Sequence, residues 1–231
     1  MLGTIIINGG TTYDHAIDDI KEVIQLRNRL VKEFQLTYKP HVHVDAVIGW
    51  IWLFFQDYSW SSNPLELSTE AIEHIKYQYD KISNLKYADS WGIDFHKSIG
   101  GCPIDSSMIM INEFEDAMYL SRKVSGNIDV HQLAEEYSFA SPVEYTLETS
   151  RAAGAPLAAL TALQTLGVEG YQRNLSNLIE QTIYLRKKLE YVQGVQLTNK
   201  MSRGFVTILR FIPPEMKAVS FSEEFFGTNG S

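Results

Sequence analysis

The residues best able to do covalent chemistry are gathered in the stretch Ala88 to Ser98, which reads ADSWGIDFHKS. An apolar, strand-like run, Trp91 to Phe95, stops at His96-Lys97, and a turn follows at Gly100-Gly101. A lysine at the end of a buried strand is held in a low-dielectric mouth, where a partly deprotonated amine can attack a carbonyl. The plain alternative is a solvated strand end carrying a surface lysine. Upstream, a second polar intrusion breaks an apolar run at His43-Val44-Asp45-Ala46.

The elements that must position these residues alternate between strands and helices. Gly3 to Asn8 reads as a fully buried, parallel-type strand bounded by Gly9-Gly10, a tighter beginning than a domain normally has. A helix is predicted from about Ala16 to Phe34, capped by Asp14, with Ile20, Ile24, Val31 and Phe34 on one face. A strand at His41 to Ala46 precedes an aromatic-rich loop holding Trp50, Trp52, Phe54, Phe55, Tyr58 and Trp60. A helix follows at Thr69 to Ile82, with Ile72, Ile75, Tyr79 and Ile82 as its buried stripe. The lysine-bearing strand comes next, then another at Met108 to Ile111.

From Asn112 to Glu148 the pattern predicts loops with a short helix near Asp129 to Tyr137. A helix of small residues, Ala152 to Leu166, ends at Gly167. A longer amphipathic helix covers about Glu169 to Val192, with Leu175, Leu178, Thr182, Leu185 and Leu189 facing the core. Two strands close the pattern at Val195 to Thr198 and Phe205 to Phe211, before Pro213-Pro214 and a frayed GTNGS ending. The alternation argues for an α/β fold with a largely parallel sheet. Two units are expected: a partial large domain over 1–193, and the beginning of a smaller, truncated one over 194–231.

Composition narrows the class. The 231 residues are 45% hydrophobic and 21% charged, as in ordinary globular proteins. A net charge of -8 without a basic cluster argues against nucleic acid as a partner. The single cysteine, Cys102, rules out an intramolecular disulfide and fits a reducing compartment. The apolar run from Val44 to Phe55 is too short to span a bilayer, and no secretory signal is visible. A cytoplasmic protein with neither membrane nor metal is the expectation.

Taken in order, HVDA and then DFHKS resemble the group II pyridoxal-phosphate-dependent amino-acid decarboxylases, which include the glutamate, aromatic amino-acid and diaminobutyrate enzymes. Three further stretches are similar to that family: Gly10-Thr11-Thr12 with Ile17-Asp18-Asp19-Ile20, ETSRAAGAPLAALTALQTLGVEGY at Glu148 to Tyr171, and FVTILRFIPP at Phe205 to Pro214. The resemblance implies a pyridoxal-phosphate fold type I (aspartate aminotransferase-like) large domain, seen through its central part, plus the start of the small domain. It implies pyridoxal 5'-phosphate as cofactor, carried by Lys97 as an aldimine, and decarboxylation of an L-amino acid such as glutamate, aspartate or diaminobutyrate. It also implies a homodimer.

The same resemblance gives each residue a role beside its ordinary reading. Asp45, as a buried carboxylate, would keep the cofactor ring nitrogen protonated, or else simply cap its strand. His96 would touch the phosphate or pass a proton, or only pack. Thr12 would support the ring, or only form the turn. His43 is placed at the cofactor, or it satisfies a buried backbone group. Arg151 would support the substrate site, or open a helix with a salt bridge. The family's tyrosine proton donor would be one of Tyr119, Tyr137 and Tyr145. The family's phosphate-binding turn and ring-stacking histidine lie upstream of the GTT turn, so an internal fragment is expected. Gly100-Gly101-Cys102 departs from the aromatic residue common after the lysine. The alternative function is a catalytically incompetent or partner-dependent piece.

Overall fold

The computed structural model describes residues 3–113, 116 and 152–212. Four strands form one sheet in the order β1 (Thr4–Asn8), β2 (His41–Asp45), β3 (Ser90–Asp94) and β4 (Ser107–Ile111). The first three are parallel, and β4 runs antiparallel to β3 with Asp94 opposite Ser107. Helix α1 (Ile20–Glu33) links β1 to β2, and α2 (Thr69–Ile82) lies between β2 and β3. Helix α3 (Gly154–Leu189) and a two-stranded antiparallel sheet, β5 (Val195–Leu197) and β6 (Leu209–Phe211), complete the described chain. The expected mostly parallel α/β architecture is present.

The core lies on one face of the sheet. Val42 and Val44 point inward from β2 and are fully buried against Ile51, Trp52, Phe55, Ala71, Ile75, Leu175 and Ile179. The other face carries Ile6, His41, His43, Asp45 and Ile109, with Ile6 70% and Ile109 61% exposed. The expectation of a fully buried first strand is therefore corrected. Side chains alternate along β1, and the described helices cover only the face to which Ile7 points.

Local chemistry explains the other departures. Helix α1 begins at Ile20, not near Ala16, because Ile17 bridges Gly9 and Asp18 folds back to accept the Asn8 backbone N–H at 2.8 Å. Its cap is Asp19, which accepts from Glu22 N at 3.1 Å, and not Asp14. The aromatic loop is a 3-10 helix, Gly49–Phe55, that buries Trp50, Ile51, Trp52 and Phe55. Its first residue must be glycine, since a Cβ there would stand 2.0 Å from the Gly9 carbonyl oxygen.

Helix α2 keeps its expected bounds and is capped by Ser68. Helix α3 breaks at Gly167, whose φ of 60° and ψ of 176° separate the two expected helices. Its buried face is Tyr171, Leu175, Ser176, Ile179, Thr182, Ile183 and Arg186, while Leu185 is 47% exposed. The stripe is rotated because the guanidinium of Arg186 finds the carbonyls of Ser202, Gly204 and Val206. That loop also shortens β5 and β6 relative to the predicted strands. The short helix near Asp129 to Tyr137, Pro213-Pro214 and the GTNGS ending lie outside the described residues.

Candidate active site

The turn that follows β3 is built tightly. The Phe95 backbone N–H donates to Ser106 O at 2.8 Å, Cys102 N to Phe95 O at 3.1 Å, and Gly100 N to Lys97 O at 3.0 Å. A Cβ on Gly100 would lie 2.2 Å from Phe95 O, so only glycine fits. From α3, the buried Tyr171 hydroxyl donates to Gly100 O at 2.6 Å, while its ring stacks on Phe54. From the 3-10 helix, the Trp50 indole N–H donates to Asp94 O at 3.0 Å.

This frame presents Lys97 beside Asp94. The Lys97 Nζ lies 2.6 Å from Asp94 Oδ2, with the lysine side chain 42% exposed and the aspartate 9%. The low-dielectric mouth expected from sequence is thus a half-open one, and the amine is engaged in an ion pair. Burial works to raise the Asp94 pKa, but hydrogen bonds from Lys97 and Ser107 and the charges of Lys97 and His96 outweigh it, leaving the carboxyl below its usual range. His96 accepts the Ser106 N–H on Nδ1 at 3.0 Å, and its Nε2 stands 4.0 Å from Asp94 Oδ2 and 3.9 Å from Asp105 Oδ1. Sequence reasoning passed over Asp94. The signal was its place one side-chain alternation before His96 and three residues before Lys97.

Asp45 ends β2 opposite Gly92, on the face that also carries Asp94 two residues farther along β3. Both stand at the carboxyl ends of parallel strands, where open α/β sheets bind ligands. Asp45 is exposed, not buried as expected, because this face has no covering element among the described residues. Its Oδ1 accepts the Val47 N–H at 3.3 Å, so the capping role is real. His43 Nδ1 meets Ser90 Oγ at 2.7 Å, a side-chain partner in place of the expected backbone one. Burial, then the nearby charge of His41, pull the His43 pKa down against Asp45, which pulls it up.

Gly10, with φ of 129°, brings the turn after β1 against Gly49, and Gly9 N donates to Asp45 O at 2.7 Å. Thr12 sits exposed in that turn, four residues after the end of β1. Arg151, Tyr119, Tyr137 and Tyr145 lie outside the described residues. Among the described residues no group of three or more histidine, cysteine or acidic side chains could hold a metal ion.

A flat aromatic aldehyde such as pyridoxal phosphate needs an amine, a carboxylate and open space between them. Lys97 and Asp45 supply the first two. Gly92 leaves the space, since among the described residues a Cβ there would meet only His43 Nε2, at 3.9 Å. The residues on this face fit the ring side of the cofactor.

No protein-family model matches the chain. It is 27% identical over 186 residues to the L-tyrosine/L-aspartate decarboxylase of Methanocaldococcus jannaschii, a match covering 80% of this chain and 38% of that protein. Among solved structures it is similar to Catharanthus roseus tryptophan decarboxylase in complex with L-tryptophan, at TM-score 0.61 and 13% identity over 92% of this chain and 38% of that one. Mouse CSAD gives TM-score 0.64 and 16% identity over 96% and 39%, and Lactobacillus brevis glutamate decarboxylase 0.59 and 17% over 94% and 41%. The chain therefore spans about two fifths of the length of these relatives. At such identities the structural likeness shows the fold alone, that of part of a pyridoxal-phosphate fold type I α/β domain.

Proposed function

We propose that this chain, which resembles the group II decarboxylases in motif order and in fold, is the central region of a pyridoxal-phosphate-dependent decarboxylase of L-amino acids. The observation that carries the reading is the placement of Asp45 and Lys97 at the carboxyl ends of adjacent parallel strands, beside an open glycine. When bound, the cofactor supplies an electron sink for the carbanion left by loss of CO2.

Each residue then has a task. Lys97 would hold the cofactor aldehyde, and Asp94, its ion-pair partner, would hold the free ammonium. Asp45 would pair with the ring nitrogen and favour its protonated form. His96, fixed by the Ser106 N–H, presents Nε2 to the phosphate or to a proton in transit. His43 and Thr12 would support the ring, and Arg151 would support the substrate. Glutamate, aspartate or a diaminobutyrate-like amino acid is the substrate class, and aspartate also appears in the name of the Methanocaldococcus jannaschii relative. Residues 1–193 belong to the large domain and 194–231 begin the small one, in a homodimer of the complete enzyme. No helix of the described residues is long and apolar enough to cross a membrane.

A second reading, a piece that needs a partner chain to complete its site, is favoured by the bare sheet face with Ile6 and Ile109 exposed. One experiment separates the two. The purified chain is mixed with pyridoxal phosphate, reduced with borohydride and digested, beside Lys97→Ala. A reduced label on the Lys97 peptide, absent from the variant, supports a cofactor site built by these residues, and amino acids are then screened for CO2 against keto-acid release. An unlabelled Lys97 peptide in the wild type sinks the first reading and leaves the second.

A further inference from the structure

The open face of the sheet holds a chain of hydrogen-bonding side chains, of which the roles above use only His43. His41 Nε2 lies 2.8 Å from Ser90 Oγ, and His43 Nδ1 lies 2.7 Å from the same oxygen. At the outer end, His41 Nδ1 stands 3.6 Å from Asp116 Oδ2. At the inner end, His43 Nε2 lies beside the vacant Cβ position of Gly92, next to Asp45. Ser90 itself is buried, at 4% exposure, whereas the side chains of His41 and Asp116 are about a third exposed. The line runs from solvent to the proposed cofactor site.

A hydroxyl has one proton to give and two lone pairs with which to accept. The carboxylate of Asp116, 3.6 Å away and beyond hydrogen-bond length, acts through its charge, which favours the proton on His41 Nδ1 over Nε2. The neutral His41 then has a bare Nε2, which takes the Ser90 hydroxyl proton. Ser90 Oγ in turn accepts from His43 Nδ1–H, and that leaves His43 Nε2 bare. We infer that His41 and Ser90 are positioning residues that hold His43 as the Nδ1–H tautomer, with an accepting Nε2 at the site, and that the three residues form a proton relay to the surface.

The relay balances without any other reactant. A proton that arrives at His43 Nε2 forms a new N–H bond there. The His43 Nδ1 proton passes to Ser90 Oγ, and the Ser90 proton passes to His41 Nε2. Positive charge thus moves from the site to His41, where Asp116 faces it. Among the described residues the groups around the line are few, and from β4 they are Ile109 and Ile111, both uncharged. From β1 the neighbours on this face are Thr4, Ile6 and Asn8, all uncharged, and from β3 they are Ser90, Gly92 and then Asp94, which is paired with Lys97. Burial and His41 favour a neutral His43, and Asp45 opposes them. The delivery of protons to or from substrate rests on the decarboxylase reading. The hydrogen-bonded arrangement does not.

The test is therefore made on the chain without cofactor. Histidine side chains are labelled with 15N, assigned through His41→Phe and His43→Phe, and their ring nitrogens followed from pH 8 to pH 5. The expected result is a protonated Nδ1 and bare Nε2 on His43 at pH 8, with the His43 nitrogen signals moving when His41 is replaced in His41→Phe. Ser90→Ala is expected to uncouple the two rings and return His43 to the usual Nε2–H preference, and Ser90→Thr to restore the coupling. A wild-type His43 in the Nε2–H form at pH 8, or one whose spectrum is unchanged in His41→Phe, overturns the inference. This wild-type spectrum decides the matter even where a variant fails to fold. Failure of cofactor labelling at Lys97 with the expected spectrum would sink the decarboxylase reading alone.

Discussion

At the scale of single residues, Asp45 and Lys97 divide the proposed chemistry between them. On the proposed reading Lys97 would fix where the cofactor attaches, and Asp45 would govern how well its ring accepts electrons. Asp45→Asn should therefore keep the borohydride-trapped label on Lys97, while CO2 release falls about 100-fold or more, as for the loss of one aimed electrostatic partner. Parallel label counting and CO2 assays check this; an unchanged rate would remove Asp45 from the site. Asp94 has a different part, since its ion pair with Lys97 occupies the amine until an aldehyde competes for it.

At the scale of elements, the turn after β3 depends on α3. Tyr171→Phe removes the hydrogen bond to Gly100 O and leaves that carbonyl unpaired, at a cost of about 1–3 kcal/mol in urea unfolding. Gly100→Ala should cost at least as much, because its Cβ meets the Phe95 carbonyl, and it should also abolish labelling of Lys97. A stable Gly100→Ala chain that labels normally would show that the turn is not what positions the lysine.

Element scale is also where the sequence is most and least legible. Helix α2 has sharp edges in the sequence, because Ser68 caps it and Ile75 and Ile82 repeat at helical spacing. The strands around Asp45 and Lys97 announce themselves because apolar runs end on charged residues. The 3-10 helix is hidden, since consecutive large apolar side chains carry no period that separates a buried turn of helix from a loop. The buried face of α3 is misread for another reason. Arg186 is charged, and only a loop more than a dozen residues onward, with its carbonyls at Ser202, Gly204 and Val206, makes burying it tolerable. Ser90 and Asp94 escape because their significance lies in cross-strand register with His43 and Ser107, which a single sequence does not display.

At the scale of the whole molecule, stability and pH are tied through groups far from the site. His15 is 2% exposed, sits against Trp52 and Phe205, and finds no partner for Nδ1 among the described residues. Burial first, and then the charge of Arg186, pull its pKa down to about 4, with Asp14 opposing. The unfolded chain therefore binds a proton that the folded one refuses between about pH 6.5 and 4, so stability falls with pH through that window, by up to about 3 kcal/mol. Asp89 acts in the next window. Burial raises its pKa, but Val42 N–H, Lys39 and Arg27 together hold it below its usual value, so its contribution is lost as pH drops below about 4. Melting temperatures from pH 7.5 to 3.5 should fall in two stages, and His15→Asn should flatten the first whatever its effect on the plateau. An equal slope in that variant would assign the first stage to another group.

Trp50 gives the molecule an optical property. Its indole is hydrogen-bonded to the backbone of Asp94, three residues from Lys97, and it is shielded from solvent against Phe95. A pyridoxal chromophore attached to Lys97 absorbs where tryptophan emits, so excitation of Trp50 would pass to it without radiation. Emission from this chain should dim as Lys97 is occupied and brighten as it is released, which makes the fold its own gauge of occupancy.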